Sequence, residues 1–445
     1  MDGDSTLEKS VGDASTEETE DTHSNSATFI RHRGSYVLTN RQTLKNNLLP
    51  AVGYLELANA GDFAANVWNM APIPIYAVVL MAIGGTIALC MSCFAFRDAW
   101  LGWCNFRQLC EERRRLQAEI ESNFSKETEK IDIGLRCYLD VNRREMGTEF
   151  FDRIVMDALM GFGAIVVSVG TYMAIAGANE KVWLASNLLS GYIGNSPAAL
   201  FGLMNALWSA FVWIRAARHG TAAAKELGLN IAKYQLEPRL RAVKVHAVIS
   251  GTTGVVAGFA SMVTAKMWWG YVVLIPCIIS SIWLNYFWRR RLGYERVLSK
   301  FPSELRAETL VQELRFISYA QSVFRDTPSS HFSEKLGIET ASLPSALKFI
   351  EANGLFDDFS RHVLRETRLF AALSDGPDCE SVTITSQTLL KADPSFAPLL
   401  LEIAQACVSQ NGLRHFVYRE RYLLEVLGCY LRYASLEPEE QSEAQ

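Results

Sequence analysis

No nucleotide-binding, metalloprotease or hydrolase signature occurs in the 445 residues. G-x-x-x-x-G-K-[S/T], H-E-x-x-H, G-x-S-x-G and G-x-G-x-x-G after a strand are all absent, which removes the commonest phosphate, zinc and serine-nucleophile chemistries. Zinc spacing is missing too. The nine cysteines stand at 90, 93, 104, 110, 137, 277, 379, 407 and 429, and the Cys90-x-x-Cys93 pair lies in an apolar run without a second pair. Excess base is lacking: a net charge of -5 leaves no basic face for nucleic acid. No cleavable signal peptide is expected, since Asp2, Asp4, Glu8, Asp13, Glu17, Glu18, Glu20 and Asp21 fill the place of a basic and then apolar leader. Residues 1–30 therefore read as a disordered acidic tail.

The most informative shortage is of charge over long stretches. A bilayer core needs roughly 20 apolar helical residues to span it. Residues 73–96, 154–178, 192–214, 243–265 and 267–288 each supply such a run. Unpaired backbone is too costly in lipid for anything but helices here, and no alternating ten-residue pattern suggests a barrel. The expected fold class is all-α: a polytopic membrane bundle of five transmembrane helices, followed by a cytosolic α-helical domain.

Base is distributed asymmetrically between the runs. Arg97, Arg107, Arg113, Arg114, Arg115, Arg143, Arg144 and Arg153 separate the first two, Arg215, Arg218, Lys225, Lys233, Arg239, Arg241 and Lys244 the next pair, and Arg289, Arg290 and Arg291 follow the fifth. The alternate connections carry only Lys181 and Lys266. The positive-inside rule then predicts an extracytosolic N-terminus with segment 31–72 outside, a cytosolic loop 97–153 and a cytosolic C-terminus, in the plasma or an endomembrane. No cysteine falls on the outer side, so reduced thiols are expected.

Ionisable and amide groups inside spans usually face a partner or a water path. Asp157, Asn195, Asn205, His246 and Asn285 are the candidate intramembrane polar site. The plainer alternatives are an Asp157 ion pair with Arg153 one turn earlier and asparagines bonded across packed helices. Gly161, Ser250, Gly254 and Gly258 mark small-residue packing faces, and Pro197 and Pro276 are expected to kink their spans. Cys90, Cys93 and Cys104, at the cytosolic end of the first span, are candidates for lipidation or ordinary packed thiols. Trp100, Trp103 and Phe106 beside Arg107 fit a helical extension of that span better than an interfacial helix.

Residues 292–436 regain soluble composition, and 437–445 read as a second acidic tail. Ser303 caps an expected helix through Ala320, Gly354 closes one begun near Pro344, and another runs from Phe356 to Leu373 before a turn at Gly376-Pro377. Ser381–Thr385 alone has strand character, and a helix pair is expected to meet at Asn411-Gly412.

The tract N-A-G-D-F-A-A-N-V-W-N-M-A-P-I-P-I-Y, Asn59 to Tyr76, and the spans after it resemble uncharacterised multi-spanning integral membrane proteins of filamentous fungi. The resemblance implies a membrane bundle and carries no activity or functional residue with it. The leading expectation is a membrane-anchored interaction or regulatory protein whose cytosolic domain holds a protein partner. An oligomeric channel or transporter subunit comes second, and a membrane-embedded lipid enzyme last. No catalytic residue, metal or cofactor is assigned. The expected partners are the bilayer, a protein bound by the C-terminal domain and a second copy of the chain, and not nucleic acid.

Overall fold

Helices make up nearly all of the computed structural model, which describes residues 26–32, 35–39, 43–68, 73–124, 133–226, 231–298, 305–326, 342–373 and 379–443. The acidic stretch before residue 26, the Ser303 cap and the Gly376-Pro377 turn lie outside them. In chain order the first elements are strands β1 (Ser26–His32), β2 (Ser35–Leu38) and β3 (Thr43–Leu44) and the short helices α1 (Glu56–Asn59) and α2 (Phe63–Val67). Helix α3 (Ile75–Phe124) follows. Helix α4 (Ile133–Glu149) runs through a π-helical turn at Phe150–Val155 into α5 (Met156–Ala174). Next come α6 (Glu180–Asn187), α7 (Ser196–Glu226), α8 (Ile231–Thr264) and α9 (Trp269–Phe287), then strand β4 (Arg296–Val297) and helix α10 (Ala307–Asp326). The chain ends with α11 (Leu343–Ala352), α12 (Phe356–Arg365), α13 (Thr367–Leu373), β5 (Ser381–Thr385), α14 (Ser386–Leu390) and α15 (Ala397–Glu443).

Five helices among the described residues are long and apolar enough to cross a membrane. Their outer faces carry exposed Ile75, Leu207, Phe259, Ile275 and Ile279, whereas Ala88, Ala95, Ala164, Val167 and Ala198 fill the interior. Large side chains outside and small ones inside is the arrangement of helices that pack closely in lipid. The 50 residues of α3 rise roughly 75 Å, far more than an apolar core. The described parts of the expected loop 97–153 are thus the extensions of two spanning helices.

The chain divides into two units, Met1–Asn40 with Ser330–Gln410, and Arg41–Ser329 with Asn411–Gln445. This redraws the expected domain at 292–436: α10 and the later part of α15 belong with the bundle unit, and the division falls inside α15. Buried ion pairs hold the extensions of that unit together. Arg296 Nη1 donates to Glu112 Oε1 at 2.6 Å, and its Nη2 to Glu112 Oε2 at 2.7 Å and Glu145 Oε2 at 2.5 Å. Glu425 of α15 accepts from Arg215 and lies 3.5 Å from Arg144 Nε. Burial alone would raise its pKa, but Arg144 and Arg215 hold this carboxyl well below the ordinary range.

In the other unit β1 lies between β2 and β5, antiparallel to both, with Phe29 opposite Leu38 and Val382. Ala27, Phe29, Val382 and Ile384 supply its buried face. Residues 26–30 are therefore strand and not acidic tail, because their alternating apolar side chains find a partner edge some 350 residues later. At the other terminus α15 continues to Glu443, into the stretch expected as a tail.

Segment 31–72, expected outside the membrane, begins in strands that pair with residues following the fifth span. β1 is bonded to β5, and β3 pairs with β4 (Leu44 opposite Arg296) just past the end of α9. The residues that precede the first span thus start at the end of the bundle where the fifth span finishes.

Candidate functional site

From β3 the chain runs antiparallel to α9 along the bundle as a broken helical segment. Asn46 Nδ2 donates to Arg289 O at 3.2 Å, Asn285 Nδ2 donates to Leu49 O at 3.1 Å, and Gly53 packs on Asn285 and Ile282. At the far end Asn66 Nδ2 and Tyr271 Oη meet at 2.7 Å. Arg289 and Tyr271 are 18 positions apart on one continuous helical path, so the segment traverses roughly 27 Å, most of an apolar core. Pro50 opens a 3-10 turn over Pro50–Tyr54, Leu55 leads into α1, and Gly61 lies between α1 and α2. A Cβ on Gly84 of α3 would collide with the Gly61 carbonyl oxygen, so glycine at both positions permits this close approach. Interrupted helix is tolerated at this depth only where protein or a cavity satisfies the backbone. Leu49 N accordingly donates to Asp98 Oδ1 at 2.8 Å.

Three polar residues at intervals of three, Glu56, Asn59 and Asp62, are buried along this segment. Asn59 Nδ2 donates to Glu56 Oε2 at 2.9 Å, and Asp62 accepts from Tyr271 Oη at 2.7 Å and from Asn66 Nδ2 at 2.9 Å.

Glu56 borders a cavity of about 120 Å³, room for several waters. Five parts of the bundle line it: Val52, Gly53 and Glu56; Asp152 and Arg153 of the π turn; Phe201 and Asn205 of α7; His246, Ser250 and Gly254 of α8; and Ser281 and Asn285 of α9. Two smaller cavities, about 40 and 30 Å³, share Thr148 and Trp288 with it and include Arg144. A π turn inserts an extra residue into a helix and re-aims its side chains, and here it brings both Asp152 and Arg153 to the cavity wall. Trp208 Nε1 donates to Asp152 Oδ2 at 3.1 Å. Arg153 donates from Nε to Asp98 (3.0 Å) and from Nη1 to Glu149 and Asn47 (both 2.8 Å), while its buried Nη2 has no protein partner.

Of the five polar residues read from the sequence, Asn205, His246 and Asn285 meet at this cavity. Asn205 Nδ2 also donates to Ser250 O at 2.9 Å, and the His246 ring lies against Phe287 and Trp288. Asn195 does not line the cavity; from the turn before α7 it donates to Ser261 O of α8 at 3.0 Å. Asp157 is fully buried outside the lining, and neither carboxylate oxygen has a hydrogen-bond donor. The alternative ion pair with Arg153 is not formed, because Asp98 and Glu149 take that guanidinium.

Gly161 faces Ala95 and Phe96, Gly254 faces Gly202 and Asn205, and Gly258 faces Ala198 and Ala199. Pro276 lies inside α9. Pro197 stands in the first turn of α7, where its missing N–H breaks no bond within that helix, directly after the turn at Gly194–Asn195. Cys90, Cys93 and Cys104 are exposed on α3. Sequence reasoning missed the broken segment with Glu56 and Asp62, and gave Asp152 and Arg153 no role in a site. One signal was available: no lysine, arginine or histidine occurs from Asn46 to Phe96, so the base-free stretch begins well before the first apolar run.

No protein-family model, curated protein or solved structure matches the chain.

Proposed function

We propose that the protein is a membrane-embedded solute-handling protein of the channel or transporter kind, with the 120 Å³ cavity as its binding site. The observation that carries this reading is the convergence of polar side chains from four helical elements on a broken helical segment. Discontinuous helices beside a mid-bundle cavity are how transporters expose backbone and side-chain ligands to solute. Glu56 and Asp152 face the cavity, and the charge of Arg153 is already matched by Asp98 and Glu149. The balance favours a small cation or a protonated polar solute. The arginine-rich end of α9 stands where β3 pairs with β4, and the positive-inside rule favours the cytosol for that end of the bundle.

The test is thiol accessibility in intact membranes, using single cysteines at 205, 246 and 285 in a cysteine-free background. A water-soluble reagent is expected to label these three and to spare position 195. If none reacts while a control at 181 does, the cavity is dry. The reading then fails, and the binding partners of the C-terminal domain become the object of search.

A further inference from the structure

Helices α4, α7 and α15 deliver Asp140, His219 and Cys429 to one point, with a ligand atom from each within 4.8 Å of the others. We propose that these three residues bind a divalent transition-metal ion of the zinc class. Cys429 Sγ lies 3.2 Å from Asp140 Oδ2 and 3.8 Å from His219 Nε2. Tetrahedral zinc, with bonds of roughly 2.0 Å to nitrogen or oxygen and 2.3 Å to sulfur, separates its ligand atoms by about 3.3–3.8 Å. The two separations from Cys429 are therefore close to those of a formed site, and Asp140 and His219 lie within 4.8 Å of each other.

The donor set points the same way, since one thiolate, one imidazole and one carboxylate suit zinc and disfavour magnesium or calcium. His219 and Cys429 are buried, while the Asp140 side chain keeps 14% exposure, which leaves an edge where water completes the fourth position. Arg215 supplies outer-shell support: its Nη2 donates to Cys429 Sγ at 2.8 Å and lies 3.0 Å from Asp140 Oδ2, and the guanidinium also pairs with Glu425. The ion adds two positive charges beside Arg215 and Arg144, and Asp140, Glu425 and the Cys429 thiolate supply three negative ones. As the sulfur–metal bond forms, the Cys429 S–H bond breaks and its proton leaves to solvent. The ligands lie far apart in sequence, so no C-x-x-C or H-x-x-x-H spacing announces them. Occupancy would fasten the later part of α15 to two spanning helices of its own unit.

The full-length chain, purified in detergent and stripped with chelator, is titrated with cobalt(II) and then with zinc. One equivalent of cobalt is expected to give tetrahedral visible bands and a thiolate-to-metal charge-transfer band, both erased by zinc. Cys429→Ser should abolish the charge-transfer band, and His219→Gln should weaken binding on the order of 100-fold or more. Replacing the exposed Cys90, Cys93 and Cys104 with serine should change neither. A wild-type protein with no such band at one equivalent overturns the proposal, as does a band that survives Cys429→Ser. Where Cys429→Ser fails to stay monodisperse, unchanged affinity in His219→Gln overturns it instead.

Discussion

Replacing Arg296 with alanine should be among the most damaging single changes in the bundle unit. Its guanidinium makes two bonds to Glu112 and reaches both oxygens of Glu145, and both carboxylates are buried. Without it, Glu112 keeps the Asn142 amide at 2.8 Å and Glu145 keeps the Tyr294 hydroxyl at 2.6 Å. Neither neutral donor compensates a buried charge. Deleting one partner of a buried pair costs about 3–5 kcal/mol, here with two carboxylates stranded. At about 1.4 kcal/mol per tenfold, the locally opened state becomes roughly one hundred- to several thousand-fold more populated. Hydrogen exchange in detergent reads this directly, as faster exchange of amides around Glu112, Glu145 and Arg296. A companion variant, Arg296→Met with Glu112→Gln and Glu145→Gln, removes the charges together and should recover more than half of the loss. A cost below about 1 kcal/mol, or a triple variant no more stable than Arg296→Ala, would refute the assignment of this network as the clasp between the helix extensions.

Three other measurements bear on the fold. Gly84→Ala should lower stability by about 1–3 kcal/mol, read as a drop in melting temperature, because its methyl group meets the Gly61 carbonyl oxygen; an unchanged melting temperature would argue against the close approach. The stability advantage of wild type over Glu425→Gln should be full above about pH 4.3, the unfolded value, and shrink as pH falls below it, since the folded pKa is depressed; an advantage that grows on acidification would contradict the ion pairing. Protease-cleavable tags at the two termini should be digested from the same side of sealed vesicles, and digestion from opposite sides would argue against residues 46–67 crossing the membrane beside α9.

Much of the membrane-spanning part was legible from composition. Long charge-free runs have few physical outcomes other than spanning helices, and small residues such as Gly254 and Gly258 mark where neighbours come close. Asn205, His246 and Asn285 stood out for the same reason, as polar groups where polarity is expensive. The broken segment did not stand out. Pro50, Glu56, Gly61 and Asp62 interrupt its apolar character, so any window long enough to find a span averages it away. The pairing of β1 with β5 and the meeting of Asp140, His219 and Cys429 depend on residues hundreds of positions apart.

The sequence by itself determined which segments avoid water, since transfer of a side chain from water is a property of the residue and its immediate neighbours. Only the tertiary structure decided what those segments enclose. The polar stretch from Asn46 to Val67 is stable in the bundle because Asn285 and Asp98 bond its backbone, Tyr271 bonds Asp62 and Gly84 leaves room for Gly61. Those partners come from elements distant in the chain, and a side chain's cost of burial depends on whether its partner arrives.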